Sequence, residues 1–117
     1  MATIEETLNK LSKSKFRSSF HLTKKEKEYA LSKGMDVIRS HAIDFISQRL
    51  APAYISNDGS QTPTKGHPVF KAQHACACCC RVCFNKWYKV SKNVELSRVQ
   101  QEKIVNLLMA WISKELE

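Results

Sequence analysis

Three helix-start signals constrain the fold of this chain more than any other feature of its sequence. In each, a hydroxyl residue is followed three positions later by Glu or Gln, which is capping-box spacing: Thr3 with Glu6, Thr23 with Glu26, and Ser97 with Gln100. Apolar residues follow each pair at helical intervals, and no segment alternates convincingly with period two. At 117 residues the chain has the usual size of one domain. The sequence therefore predicts an all-α fold of about five helices in a single domain over residues 1–117.

The positions of the other helices follow from turn residues. Gly34 suits the end of the second helix, and Asp36 the start of a third that stops before Pro52. His41 lies beside the apolar stripe of that third helix and is predicted to be a hydrogen-bonded residue at the edge of the core. A fourth helix is predicted to begin at Pro68 and to continue with one apolar side, formed by Val69, Cys76, Cys80, Cys83 and Trp87.

Residues 51–66 between the third and fourth helices are predicted to form a long loop. The segment contains the turn-forming strings Asn57-Asp58-Gly59, Thr62-Pro63 and Lys65-Gly66. Loops of this length in a compact domain usually bind a ligand, cover a site or move. The loop is therefore a candidate functional element.

The positive charge is concentrated in two segments of the sequence. The net charge is +8, and residues 67–94 carry five Lys or Arg without an acidic residue. Residues 1–34 carry eight basic against four acidic residues. Such a distribution is typical of proteins that bind nucleic acid or another polyanion, although a solvated basic surface would have the same composition.

Cations and aromatic residues interleave in the second basic segment, as they do on surfaces that contact phosphates and stack on bases. The predicted nucleic-acid contacts are Arg17, Lys86, Tyr88 and Lys89.

The five cysteines lie close together, between Cys76 and Cys83, so disulfides could close only short loops. A reduced, cytoplasmic setting is therefore expected. The start of the chain lacks the pattern of a signal peptide, and no apolar run is long enough to cross a membrane. No contact with a membrane is expected.

Seven potential metal ligands lie within 17 residues, namely His67, His74, Cys76, Cys78, Cys79, Cys80 and Cys83. Cys80 and Cys83 have the C-x-x-C spacing that presents two thiolates to one zinc ion, and His74 is near enough in sequence to be a third ligand. Two other interpretations stay open. The cysteines are either small apolar residues of the predicted helix or reactive thiols, and the helical register favours packing.

His67 and His74 are two helical turns apart and are expected to face one groove. The start of the fourth helix could bind a phosphate or carboxylate there. The predicted anion-binding residues are Lys65, Gly66, His67, His74 and Arg81.

Several strings, in the same order and spacing, resemble a bacterial family known as domain of unknown function 4186. They are Ser14-Lys15-Phe16-Arg17, Gln48-Arg49-Leu50-Ala51-Pro52-Ala53, Asn57-Asp58-Gly59, Gln61-Thr62-Pro63, Gly66-His67-Pro68-Val69-Phe70, Ala72-Gln73-His74-Ala75, Cys79-Cys80-Arg81, Cys83 and Lys86-Trp87. The resemblance implies that Cys79, Cys80 and Cys83 belong to the family pattern, whereas Cys76 and Cys78 stand where threonine is usual. It therefore favours these three cysteines in any site. Together with His74, which is close to them in sequence, the predicted metal ligands are His74, Cys79, Cys80 and Cys83, and the thiolate spacing makes zinc the candidate cofactor.

Two functions from different classes follow from these observations. The first is a non-enzymatic module that binds nucleic acid, predicted from the charge and the interleaved aromatic residues. The second is a metal- or thiol-dependent enzyme with a site around His67, His74, Cys79, Cys80 and Cys83. No recognised catalytic signature accompanies those residues, so the sequence leaves open whether the chain is an enzyme.

Overall fold

The computed structural model describes residues 2–117, and this part of the chain forms six α-helices and one short 3-10 turn, without a strand. The all-α prediction is confirmed. The predicted domain, residues 1–117, begins one residue before the described part. The helices are α1 (Ile4–Ser12), α2 (Lys24–Lys33), α3 (Met35–Arg49), α4 (Pro68–Ala75), α5 (Arg81–Tyr88) and α6 (Arg98–Leu116), and the 3-10 turn is Arg17–Ser19.

The three capping boxes start α1, α2 and α6. In each, the hydroxyl oxygen at the cap accepts the N–H of the residue three positions later, and that residue's side chain accepts the N–H of the cap. These local bonds satisfy backbone donors that would otherwise be unpaired, which explains why the sequence located these helix starts correctly.

The longest helix, α6, is central to the core. It packs against α3, α4 and α1, and α2 packs against α3 and α4. The fully buried side chains of Ile38, Ile46, Leu108 and Ile112 come from α3 and α6. Burial of such side chains is the main favourable contribution to folding.

The predicted fourth helix is two helices, and the single apolar side drawn through its cysteines is wrong. After α4 the N–H of Cys78 donates to Gln73 O and the N–H of Ala77 to His74 O, the two bonds of a Schellman motif. Ala77 takes the left-handed conformation that the motif requires, with φ 58°. Because glycine usually occupies that position, the sequence carried no visible stop signal there.

The start of α3 also differs from the prediction. Gly34 ends α2, as expected, but it is at the same time the N-cap of α3, with φ 88°. The helix therefore begins at Met35 rather than at Asp36.

Residues 51–66 form no helix or strand, as predicted. Within residues 2–117, every helix is too short or too polar to cross a lipid bilayer.

Candidate metal centre

Three of the five cysteines bring their sulfur atoms together at the start of α5. The Sγ atoms of Cys79, Cys80 and Cys83 all lie within 4.8 Å of one another. Cys79 belongs to the connection between α4 and α5, Cys80 is the N-cap of α5, and Cys83 lies in its first turn. The break in the predicted fourth helix therefore creates the cluster, because it turns Cys79 toward the two other residues.

The N-cap of α5 is made by sulfur instead of oxygen. Cys80 is in an extended conformation with φ −159°, and its Sγ atom accepts the N–H of Cys83 at 3.4 Å. This bond holds the two residues of the C-x-x-C motif on the same side of the helix start. Sulfur accepts hydrogen bonds weakly, so this cap stabilises the helix less than a hydroxyl would.

A buried arginine from a distant part of the chain lies against the cluster. Arg17, in the 3-10 turn, is 6% exposed. Its Nη1 atom donates to the carbonyl oxygen of His74 at 2.7 Å and lies 3.8 Å from the Sγ atom of Cys79. Burial works to lower the pKa of Arg17, but hydrogen bonds to Cys83 and Cys79 raise it. The guanidinium is therefore a fixed positive charge beside the sulfur atoms.

The three thiols differ in acidity. Burial raises the pKa of Cys79 to about 12 and also raises that of Cys80. Burial acts in the same direction on Cys83, but hydrogen bonds from Arg17, Cys80 and Cys79 outweigh it and lower the pKa of Cys83. Cys83 is thus the member of the cluster that ionises first.

The two remaining cysteines are core residues. Cys76 and Cys78 are fully buried, and burial raises the pKa of each thiol far above its ordinary value. The packing interpretation therefore holds for these two, and it is the three cysteines named by the family resemblance that converge.

The end of the long loop covers the connection that carries Cys79. The Thr62 hydroxyl donates to the carbonyl oxygen of Cys79 at 2.7 Å, and His74 Nε2 lies 3.0 Å from the carbonyl oxygen of Thr62. Since a carbonyl only accepts, Nε2 of His74 carries the proton. His74 also stacks on Phe20 with ring centroids 5.3 Å apart. In this arrangement His74 is outside the three-sulfur group, and its role as a metal ligand stays a prediction.

His67 and His74 have different hydrogen-bond partners, and the groove that they were expected to share stays a prediction. His67 is the N-cap of α4, where Nδ1 accepts the N–H of Val69 at 2.9 Å. Its Nε2 atom must then carry the proton, which it donates to Nδ1 of His41 at 2.9 Å. Burial, with a contribution from His41, lowers the pKa of His67 to about 4. The sequence indicated a hydrogen-bonded His41 but carried no signal for this pair.

The N-terminus of a helix attracts negative charge, and an external anion was expected at the start of α4. The structure instead has the carboxylate of Glu26 there. The N–H of Gly66 donates to Glu26 Oε2 at 3.1 Å, and Lys71 forms an ion pair with Glu26 Oε1 at 3.6 Å. Lys65 is exposed. Binding of an external anion to this helix start would therefore compete with Glu26.

Arg81, a predicted anion contact, is 2% exposed. Its guanidinium donates to four main-chain carbonyl oxygens, those of Leu50, Pro52, Ser91 and Val94. These bonds join the start of α5 to two segments of the chain. The carbonyls of Leu50 and Pro52 lie in the segment that follows α3, and those of Ser91 and Val94 lie in the segment that follows α5.

The predicted nucleic-acid contacts are divided between surface and interior. Lys86 and Lys89 are exposed, whereas Arg17 is buried. Tyr88 is half-buried and its hydroxyl donates to the carbonyl oxygen of Cys76. Only the lysines are free to reach a phosphate without breaking an internal bond, and nucleic-acid binding stays a prediction.

No solved structure matches the chain. Residues 5–113 match the sequence pattern of the family described as Domain of unknown function (DUF4186), and the chain therefore belongs to that family.

Proposed function

We propose that the protein binds one thiophilic metal ion, zinc in the first instance, through the thiolates of Cys79, Cys80 and Cys83. The observation that carries the proposal is the convergence of the three Sγ atoms within 4.8 Å. Thiolate ligands select zinc and similarly soft ions over magnesium or calcium, which prefer oxygen ligands.

The spacing of the sulfur atoms suits such an ion. Zinc bonds thiolate sulfur at about 2.3 Å in a tetrahedron, which separates two sulfur ligands by about 3.8 Å. The observed upper limit of 4.8 Å exceeds this separation by about 1 Å. Small side-chain rotations would close that difference without moving the helices.

Charge balance also supports the proposal. Three thiolates without a cation would be a large buried negative charge, which is very unfavourable away from water. A divalent ion together with the guanidinium of Arg17, 3.8 Å from Cys79, would bring the sum to zero. The hydrogen bonds from Arg17 and from the N–H of Cys83 would orient the sulfur ligands, as outer hydrogen bonds do in known metal sites.

Three protein ligands leave one position of a tetrahedron for water or a further ligand. Closed structural zinc sites use four protein ligands, whereas catalytic sites keep an open position. An ion in such a site would supply Lewis acidity. Enzymatic use of the centre is therefore a second proposal, supported by the number of ligands.

Elemental analysis of the purified full-length protein tests metal binding. After expression with supplemented zinc and purification in reductant, we expect about one zinc per chain, in keeping with a single three-thiolate site. The variants Cys79→Ser, Cys80→Ser and Cys83→Ser should each lose most of the metal. Replacement of zinc by cobalt(II) should add sulfur-to-metal absorption bands to the wild type.

The matched control is Cys78→Ser, which removes a cysteine two positions from the cluster. Its thiol donates to the carbonyl oxygen of Cys76 at 3.4 Å, a bond that serine can keep. This variant should retain the metal. A wild-type protein that contains no zinc and gains no cobalt bands would refute the proposal, as would equal metal loss in Cys78→Ser.

A further inference from the structure

We infer that Cys80 and Cys83 form a reversible disulfide when the metal-free protein meets a hydroperoxide, so that the cluster is also a redox-responsive site. The inference goes beyond metal binding and does not depend on it. It rests on the placement of the three thiols relative to one another and to the protein surface.

Exposure selects the sulfur that meets the oxidant. Cys83 is partly exposed, whereas the other four cysteines are buried. Because Cys83 is only partly exposed, a small reagent reaches its sulfur more readily than a bulky disulfide does, and a hydroperoxide transfers a single oxygen atom there. A small hydroperoxide is therefore the oxidant that this geometry fits.

Proximity selects the second sulfur. The Sγ atoms of Cys79 and Cys80 are both within 4.8 Å of that of Cys83. Of the two, Cys80 is already tied to Cys83 by the 3.4 Å bond between its sulfur and the N–H of Cys83. The third possible pair, Cys79 with Cys80, joins neighbours whose Cα atoms are about 3.8 Å apart, closer than disulfides usually allow.

The N-cap of α5 supports a chemical role for Cys80. The caps of α1, α2 and α6 are Thr3, Thr23 and Ser97, each with an oxygen acceptor in a capping box. At α5 a weaker sulfur acceptor replaces oxygen, although serine would fit the same backbone conformation. The residue at this cap thus stabilises the helix less well than serine would, and its sulfur faces a second thiol.

The reaction proceeds in two balanced steps. The sulfur of Cys83 takes the terminal oxygen of the hydroperoxide: the O–O bond breaks, an S–O bond forms, and an alcohol leaves, or water where the oxidant is hydrogen peroxide. The product is the sulfenic acid of Cys83. The thiol of Cys80 then attacks that sulfur, the S–S bond forms, the S–O bond breaks and water leaves. Two electrons pass from the two thiols to the peroxide, and an added dithiol reverses the change.

A metal ion on the same sulfur atoms would block the first step, because a coordinated thiolate is less available to the oxidant. Oxidation in turn removes two of the three ligands proposed above. Zinc and peroxide are therefore expected to compete for the cluster, provided that the metal site exists.

Peptide mapping tests the inference with a single protease. Trypsin cleaves after Arg81, which separates Cys80 in residues 72–81 from Cys83 in residues 82–86. Full-length protein is reduced, freed of metal with chelator, treated with hydrogen peroxide, alkylated under denaturing conditions and digested. We expect a linked pair of these peptides in the mass spectrum, and its disappearance after treatment with dithiothreitol.

Two variants identify the pair, and circular dichroism establishes that both are folded. Cys80→Ser should abolish the linked pair and leave Cys83 in higher oxidation states, whereas Cys79→Ser should keep it. Absence of the linked pair in the wild type, or its persistence in Cys80→Ser, would overturn the inference.

Because the protein is metal-free, these outcomes are independent of the zinc analysis. A linked pair without zinc binding would refute the metal proposal alone, and zinc binding without a linked pair would refute this one alone.

Discussion

The guanidinium of Arg17 lies 3.8 Å from the sulfur of Cys79, although 62 residues separate them in the chain. The same Nη1 atom donates to the carbonyl oxygen of His74, one residue before the end of α4. Arg17 therefore joins the 3-10 turn to the segment that carries the cysteines. Against the opposing effect of burial, its hydrogen bond and, to a smaller extent, its charge also help to lower the pKa of Cys83.

Replacement of Arg17 by Met should change both stability and thiol reactivity. It leaves the His74 carbonyl without this buried donor, which should reduce the free energy of unfolding by about 2–3 kcal/mol. It also removes hydrogen bonds and charge from Cys83, so the pKa of Cys83 should rise. The rate of Cys83 alkylation by iodoacetamide, measured against pH in the peptide of residues 82–86, should shift to higher pH.

Arg17→Lys is the informative companion variant. Lysine keeps the charge but lacks the planar group that can donate to the His74 carbonyl and the sulfur atoms together. Its alkylation profile should lie between those of the wild type and Arg17→Met. An unchanged profile in Arg17→Met would mean that the guanidinium does not control the acidity of the cluster.

The sequence was sufficient for the features of this fold that are local in the chain. Each capping box at Thr3, Thr23 and Ser97 needs only residues within one helical turn. The Schellman motif at Ala77 is equally local, yet it was missed because alanine rather than glycine adopts the left-handed conformation. Without that turn, the helical register placed Cys76, Cys80 and Cys83 on one apolar side, whereas the structure has Cys76 in the core and the other two in the three-sulfur cluster.

The Cys80→Ser variant should separate stability from metal binding. Serine supplies a stronger oxygen acceptor at the N-cap of α5, so the metal-free variant should be more stable than metal-free wild type by about 0.5–1 kcal/mol. It should nevertheless lose zinc. Urea unfolding with chelator and reductant measures the stability of the metal-free proteins. The same titration with zinc measures how much bound metal stabilises each protein.

Zinc should therefore make the wild type more stable than Cys80→Ser, the reverse of the order expected without metal. Because an ion that binds only the folded state stabilises it by mass action, zinc is expected to raise the wild type above Cys80→Ser. If chelator leaves the unfolding curve of zinc-treated wild type unchanged, the cluster holds no metal in the folded state. If metal-free Cys80→Ser is instead less stable than metal-free wild type, then sulfur is not a weaker N-cap of α5 than the serine oxygen.

Because the pKa of His67 is lowered by burial, we expect the free energy of unfolding to fall in mild acid. Its pKa is about 4 in the folded protein and about 6.5 ordinarily, so the unfolded chain binds the proton more readily. Its contribution to stability is complete above about pH 6.5 and is lost as the pH falls toward 4. The slope is at most about 1.4 kcal/mol per pH unit.

His67→Asn should remove that contribution while keeping the helix cap, because asparagine can accept the N–H of Val69. Unfolding by urea should be measured between pH 6.5 and 4.5, since the lowered pKa of Glu26 adds its own loss of stability in more acidic solution. The variant should show a shallower decline than the wild type. Identical slopes would mean that His67 is not the group that titrates.

The parts of the site that the sequence could not predict depend on tertiary packing. His41 and His67 are 26 residues apart and meet only because α3 packs against the start of α4. The Glu26 carboxylate reaches Gly66 across 40 residues and takes the position where an external anion was expected. The capping signals reveal neither contact, since capping concerns neighbours within one turn.

Nucleic-acid binding, the function that the composition favours, can be tested through the lysines that remain exposed. Lys86 and Lys89 lie at the end of α5, whereas Arg81 is occupied by four carbonyl oxygens. If the protein binds DNA or RNA, Lys86→Gln with Lys89→Gln should weaken binding at low salt. It should also reduce the slope of log affinity against log salt by about 0.9 per lost phosphate contact on duplex DNA. Fluorescence anisotropy with single- and double-stranded probes measures both quantities.

Arg98→Gln with Lys114→Gln removes the same charge from exposed positions in α6 and is the matched control. Equal effects of the two pairs would indicate a response to net charge alone, and absence of binding by the wild type at low salt would eliminate this function.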